Sequence, residues 1–215
     1  GTCVAWSVSY CLKTTLNKIN KKWPLDNSNL YLCSPVDLWF LLHSEDKAPR
    51  CDGTTIKSAL TVLKEKGVSV MLYMSSEKLT YNTCDTGVGK GDRSNCISNY
   101  SIVAYSAEES MNGRAFGMSV ENIKHYLSLA PLVISARLGE RFMNWKSDAV
   151  LRSDSRKYEG QDAYHAMILV GYDDNRHAFR VRNSWGTGWG DSGSIWVDYD
   201  FFVNQFCLSV WFVEN

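Results

Sequence analysis

Residues 163–185 read AYHAMILVGYDDNRHAFRVRNSW, and the fold is decided there. Ala163 to Tyr172 is a run of apolar, aromatic and β-branched residues, closed by the turn formers Asp173, Asp174 and Asn175. Ala178 to Arg182 is a second, shorter run of the same kind. Two such runs joined by a short polar connection predict a hairpin. Downstream, Ser194 to Tyr199 and Ser209 to Val213 repeat the pattern. The four segments are expected to be strands of one antiparallel sheet.

Upstream of residue 130 the period changes. Ala5, Val8, Leu12, Leu16 and Ile19 recur at three and four, which predicts an amphipathic helix from Cys3 to Ile19 with these five residues buried. Ser34, Pro35 and Asp37 predict a second helix start, with the hydroxyl as cap, the proline in the first turn and the acid returning the capping contact before Leu38, Trp39 and Leu42. A third helix, capped by Thr54 or Thr55, turns Ile56, Ala59, Leu60 and Leu63 inward and stops at Gly67. Val68 to Tyr73 reads as a strand. Residues 75–100 read as a loop region, Ser119 opens a helix through Ile123, Tyr126 and Leu127, and Leu132 to Ala136 is a strand. The charged segment 137–160 is expected to be solvated surface. Helices first and strands after make an α+β protein, with a mainly helical lobe over 1–115 and a mainly sheet lobe over 116–215.

Composition narrows the function. With 215 residues, 45% hydrophobic and 21% charged, the chain can bury roughly 70% of its unfolded surface, so it is globular rather than disordered. Lys plus Arg and Asp plus Glu both number 23, so no whole-chain field draws it to nucleic acid or an acidic membrane. No apolar stretch approaches about 18 residues, and no leader pattern opens the chain. Seven cysteines leave at least one thiol unpaired. No C-x-x-C pair occurs and the four histidines are dispersed, so no metal site and no cofactor is indicated. Gly87, Gly89 and Gly91 lack the strand-to-helix setting of a phosphate loop.

The residues that can carry chemistry are few. A thiol in the opening turn of a helix, as Cys3 is expected to be, faces unsatisfied amides and the positive end of the dipole, both of which favour the nucleophilic form. Of the histidines, His43 and His125 read as solvated or capping residues. His165 interrupts an otherwise apolar strand, where a polar ring must find a partner. The hairpin connection brings the next strand back beside it, and Asn183 ends that strand directly before Ser184, Trp185 and Gly186. The Asn183 amide oxygen can orient the imidazole, with an indole excluding water. Read alone, His165 is equally a hydrogen-bonded core histidine and Asn183 a turn residue.

The segments GTCVAWS (1–7), CDGTTIKSAL (51–60), PLVISA (131–136), YHAMILVGY (164–172) and NSWGTGWGDSG (183–193) together resemble, in the same order, the blocks of the papain-like cysteine proteases. The resemblance implies the two-lobed papain-like fold, a helical lobe against an antiparallel, barrel-like sheet lobe with a cleft between them. It implies a cysteine-dependent endopeptidase working through a thioester: Cys3 as nucleophile, His165 as base and then acid, Asn183 as orienter, and Trp185 shielding that contact. The resting state it implies is a thiolate–imidazolium pair. Gly53 and Thr54 match the wall that holds substrate backbone. Ser135, Tyr164 and Ala166 match a substrate side-chain pocket, roomy and partly apolar, and Trp189 matches the tryptophan bordering the leaving-group side. Implied partners are a peptide or protein substrate and a pro-segment or protein inhibitor. A secreted or lysosome- or vacuole-like compartment fits if at least two disulfides form; an intracellular one stays open if they do not.

Four departures qualify the match. The family glutamine that helps bind the oxyanion lies six residues before the nucleophile, whereas only Gly1 and Thr2 precede Cys3. Either the sequence begins partway into a longer product, or that donor is lost. Val4 stands where the family has tryptophan, with Trp6 refilling part of the volume; Thr54 replaces a glycine; and segments 75–115 and 137–160 are longer than in compact relatives. Two other readings therefore stand beside proteolysis: a catalytically impaired peptide-binding module, and a deamidase or acyltransferase using the same triad. With Cys3 set aside, six cysteines allow fifteen pairings. Cys84 with Cys96 and Cys51 with Cys96 are both open, and Cys11 and Cys207 read as buried free thiols.

Overall fold

A computed structural model describes residues 2–26, 28–47, 51–73 and 87–215. The chain divides into two units, residues 1–100 with 213–215, and residues 101–212.

In the first unit, α1 (Cys3–Ala5) runs without a break through a π-wound stretch, Trp6–Lys13, into α2 (Thr14–Asn20). Val4, Ala5, Val8, Ser9, Leu12, Lys13, Leu16 and Asn17 are all buried, pairs of residues at a spacing of four. An α-helix turns about 100° per residue, so a stripe of period four drifts about 40° each turn. Wider π turns drift the other way and keep the stripe on one side. The same period leaves out Ile19, expected to be buried, which is 59% exposed. Polar members of the stripe are paired: Ser9 Oγ donates to Ser34 O at 2.8 Å, Asn17 Nδ2 to Asn95 Oδ1 at 3.1 Å, and Lys13 Nζ to Cys96 O at 3.0 Å and to Asn215 Oδ1. Burial, with Lys21 nearby, lowers the Lys13 ammonium to about 8.

α3 (Pro35–Leu41) starts as expected, with Ser34 Oγ accepting from Asp37 N at 3.1 Å and Leu38, Trp39 and Leu42 buried. Asp37, however, does not return the capping contact. Its buried carboxylate accepts from Ser69 N at 2.7 Å, Lys90 N at 2.6 Å and Gly91 N at 3.1 Å, tying two loops to the helix. α4 (Ile56–Glu65) is capped by Thr55, buries Ile56, Ala59, Leu60 and Leu63, and ends before Gly67 at φ +65°. Val68 to Tyr73 forms no strand: Val70 makes an isolated bridge to Cys33 and the chain then turns. One bridge partner is too few for a ladder.

The second unit holds a seven-stranded sheet in the order β1-β7-β2-β4-β5-β6-β3. The strands are β1 (Asn99–Tyr105), β2 (Leu132–Leu138), β3 (Val150–Leu151), β4 (Ala163–Asp173), β5 (Ala178–Arg182), β6 (Ser194–Asp198) and β7 (Cys207–Glu214). The β4–β5 and β5–β6 pairs are antiparallel as expected, but β3 runs parallel to β6, so the sheet is mixed. Tyr199 leaves the sheet to open α7 (Tyr199–Phe201), capped by Asp198. α5 (Val120–Leu127) is capped by Ser119 and buries Ile123. Segment 137–160 is not simply solvated surface. It completes β2, forms α6 (Glu140–Met143) and β3, and sends Phe142 and Leu151 into the core. Among the described residues no helix is long and apolar enough to cross a membrane.

Five cysteines, Cys3, Cys11, Cys33, Cys96 and Cys207, are outside disulfides, while Cys51 is disulfide-bonded. Both pairings considered for Cys96 are thereby excluded; Cys84 lies outside the described residues. Cys207 is buried as expected, whereas Cys11 is half-buried.

Candidate active site

The two units carry different parts of the predicted site. In the first, Cys3 is the opening residue of α1, half-buried and free. Trp6 N donates to Thr2 O at 3.1 Å, so the helix begins at that turn, and the amides of its first residues have no partner within the helix. Val4 and Ala5, both buried, root the turn in the core, and the Trp6 ring packs on Tyr10 at 5.2 Å. Gly53 and Thr54 lie just before α4, where Thr54 pairs with Lys47 and its hydroxyl donates to Asp46 O at 2.7 Å.

In the second unit His165 occupies the middle strand pair, opposite Ala136 of β2. β5 returns alongside β4, with Arg182 opposite Ile168, and thereby delivers Asn183 to the imidazole. His165 Nε2 and Asn183 Oδ1 are 2.8 Å apart, and both residues are buried. Ser184 N donates to the same oxygen at 2.7 Å. A backbone amide can only donate, so the atom facing it must be oxygen, and Nε2 must then carry the proton it shares with that oxygen. The remaining ring nitrogen, Nδ1, is left as the basic lone pair. Burial pushes His165 below the ordinary histidine range, opposed by the smaller effect of the Asn183 contact. Both features favour a neutral imidazole with one defined tautomer. Asn183 Nδ2 is buried without a partner among the described residues.

The Trp185 ring lies 4.7 Å from the His165 ring, tilted by 33°. It is held by Phe142 at 5.9 Å and Trp189 at 5.4 Å, and Trp189 Nε1 donates to Phe142 O at 3.2 Å. Trp189 itself is only 8% exposed, its polar group spent inside the protein. Asn183 N donates to Gly193 O at 3.0 Å, which closes the loop 183–193. Gly190 is needed in that loop: its φ is +62° and an added Cβ would meet Ser194 O at 2.3 Å. Phe142, the support of both indoles, was missed by sequence reasoning; the apolar cluster Phe142, Met143 and Trp145 was the available signal.

On the neighbouring strands, Ser135 Oγ and Ser209 Oγ are 2.6 Å apart, Ala166 is 2% exposed, and Tyr164 is 58% exposed with its hydroxyl accepting from Arg137 Nη2 at 2.8 Å. One cluster has metal-ligand chemistry: ligand atoms of His177, Asp198 and Asp200 lie within 4.8 Å of one another. Asp198 is already committed, however, to Arg152 at 2.6 Å and to the Asp200 and Phe201 amides. Asp198 thereby serves as the cap of α7.

Comparison with known proteins places the chain in a family. A profile of the papain family cysteine proteases matches residues 1–207, and the chain belongs to that family. Gamete and mating-type specific protein A of Dictyostelium discoideum is 37% identical over 67 residues, 31% of this chain and 14% of that protein. The chain spans less than half the length of the curated relatives it matches. Xylellain, a cysteine protease from Xylella fastidiosa, superposes with a TM-score of 0.75 at 18% identity over 100% of this chain and 80% of its own. The bromelain protease from Ananas comosus, in complex with the E64 inhibitor, gives 0.70 at 19% identity over 100% and 89%. At these identities the likeness is one of fold, the α+β papain-like fold.

Proposed function

We propose that the protein is a cysteine-dependent endopeptidase, with Cys3 as nucleophile, His165 as general base and acid, and Asn183 as the residue that orients His165. The observation that carries this reading is the His165–Asn183 contact at 2.8 Å, with Asn183 Oδ1 fixed by the Ser184 amide. It leaves Nδ1 as the single basic position on a buried ring. In the reaction, Nδ1 takes the Cys3 thiol proton and Sγ attacks the peptide carbonyl carbon. The Cys3 amide, at the helix start, donates to the developing oxyanion. The C–N bond then breaks as Nδ1 returns the proton to the departing amine, leaving a thioester. Water, deprotonated by the same nitrogen, hydrolyses the thioester and restores the thiol. Burial opposes an isolated imidazolium, so the charged ring forms together with the thiolate, by a proton transfer that leaves their summed charge at zero.

Gly53, Thr54, Ser135, Tyr164, Ala166 and Trp189 are assigned to substrate contacts, with Trp185 shielding the Asn183 bond. A peptide or protein is the substrate, and a pro-segment or inhibitor is a further partner. Five of the seven cysteines are outside disulfides, so at most the one disulfide at Cys51 forms; the two that would favour a secreted or lysosome- or vacuole-like compartment are not reached, and an intracellular one stays open.

The test is a peptidyl epoxide, an electrophile that an activated thiolate opens and bonds to. Peptide mapping is expected to find one adduct per chain, on Cys3, and His165→Ala to slow labelling by roughly a hundred-fold or more. Equal labelling rates in both chains would exclude His165 as the activating base.

A further inference from the structure

The aromatic wall beside His165 is built on a helix that cannot hold itself. α6 (Glu140–Met143) is four residues long, and the first four amides of any helix have no partner within it. Isolated helices this short do not persist in water. Its start has no side-chain cap of its own, since Gly139 stands at that position. A separate segment supplies what is missing. Asp154 Oδ2 accepts from Gly139 N at 3.0 Å and Phe142 N at 3.1 Å, Asp154 Oδ1 from Arg141 N at 3.1 Å, and Ser155 Oγ from Glu140 N at 3.1 Å. Four consecutive amides are met in this way. The carboxylate is itself fixed by Ser155 N at 2.8 Å. Gly139 has φ −132°, which any residue adopts, yet an added Cβ would lie 2.3 Å from Asp154 Oδ1. Glycine is required there by the approach of the carboxylate.

What α6 carries faces the loop 183–193. The buried Phe142 ring lies 4.8 Å from Trp189 and 5.9 Å from Trp185, and its carbonyl accepts from Trp189 Nε1 at 3.2 Å. Just past the helix, Trp145 O accepts from Gly190 N at 2.9 Å. These contacts set the loop that lays the Trp185 ring 4.7 Å from the imidazole. The contacts therefore run in series from the carboxylate to the imidazole. If the first of them is lost, the indole is free to tilt and water can compete for Asn183 Oδ1, the acceptor that fixes the ring.

We propose that Asp154 is a positioning residue for His165: its carboxylate sets α6, α6 sets Phe142, and Phe142 holds the Trp185 indole beside the imidazole and its bond to Asn183. The kinetic consequence rests on the reading of His165 as general base; the effect on the surroundings of the imidazole does not.

Two readouts on the full chain test it, the His165 Cε1–H titration by ¹H NMR and steady-state peptide cleavage. In Asp154→Ala the His165 midpoint is expected to rise from its low folded value toward about 6.5 as water reaches the ring. For the same variant kcat is expected to fall roughly ten-fold with KM changed less than about two-fold. Lost stability alone would lower the urea midpoint and leave both the titration and the kcat of folded molecules where they are. Asp154→Asn, which keeps one acceptor oxygen, is expected to show the same changes to a smaller degree, and it carries the test if Asp154→Ala does not fold. Phe142→Leu is expected to reproduce the Asp154→Ala changes, and the double variant to add little to either, because the two residues act along one path. If the parent chain cleaves no peptide, the proposed reaction fails and the titration alone decides the role of Asp154. A parental His165 midpoint in both Asp154 variants, or losses that add in full in the double variant, would overturn the proposal.

Discussion

His165 is the residue on which the proposed chemistry and the stability of the protein meet. Its buried ring is held below the ordinary histidine value by desolvation, partly offset by Asn183. In the unfolded chain it takes up a proton near 6.5. Between the folded and unfolded values the unfolded state binds more protons, so stability rises with pH across that window. The contribution is complete above the unfolded value and is lost as pH falls through the folded one. Urea unfolding midpoints are therefore expected to drop between about pH 7.5 and about pH 5, and His165→Gln to flatten that drop; a slope unchanged by the substitution would remove His165 as its source. Asn183→Ala takes away the acceptor shared by His165 Nε2 and Ser184 N. It is expected to cost about 1–3 kcal/mol of stability and to lower kcat by roughly ten- to hundred-fold. A smaller loss in KM than in kcat would mark it as positioning the base rather than binding substrate.

At the scale of elements, α3 works as a bracket. Asp37 projects from its first turn and receives backbone N–H bonds from Ser69, Lys90 and Gly91 in two loops, a buried carboxylate met there by peptide dipoles. Asp37→Asn puts an NH₂ group where one of those amides now donates. It is expected to destabilise the chain by about 2–4 kcal/mol and to speed hydrogen exchange at Lys90 and Gly91. Exchange at those amides as slow as in the parent chain would show that the loop is held by other contacts. The start of α3 was legible in Ser34-Pro35, because capping is local, but the use of Asp37 was not, because its partners lie 32 and 53 residues away. The same distinction separates α4 and α5, read correctly from their caps and periodicity, from Val68–Tyr73, which has strand composition and no neighbouring strand. It also separates the apolar positions of the first helix from its π winding, which a rule built on a 3.6-residue turn cannot show. Within the candidate site, the histidine, its amide partner and the adjoining indole were legible because polar groups inside apolar strands demand partners. Phe142 was not, since its segment is rich in charge and its role depends on two tryptophans more than forty residues away in sequence.

For the whole molecule, equal counts of 23 cationic and 23 anionic side chains decide how substrate arrives. A balanced chain generates little field beyond a Debye length of about 10 Å at 0.1 M salt, so a peptide is not steered from a distance. The residues assigned to substrate contacts, Gly53, Thr54, Ser135, Tyr164, Ala166 and Trp189, carry no formal charge either. Arg137 and Arg156 share Glu108, and Asp162 also acts on Arg137, so this cluster adds no long-range field. Salt therefore has neither a long-range attraction to screen nor a charged contact to weaken. For an uncharged peptide substrate, kcat/KM is expected to change by less than about two-fold between low salt and roughly half-molar sodium chloride. Peptides carrying one Lys or one Glu outside the cleaved bond are expected to behave alike. A ten-fold fall for one sign of charge, with the other sign unaffected, would show a local field at the site strong enough to select substrates, contrary to the balance of charge in the sequence.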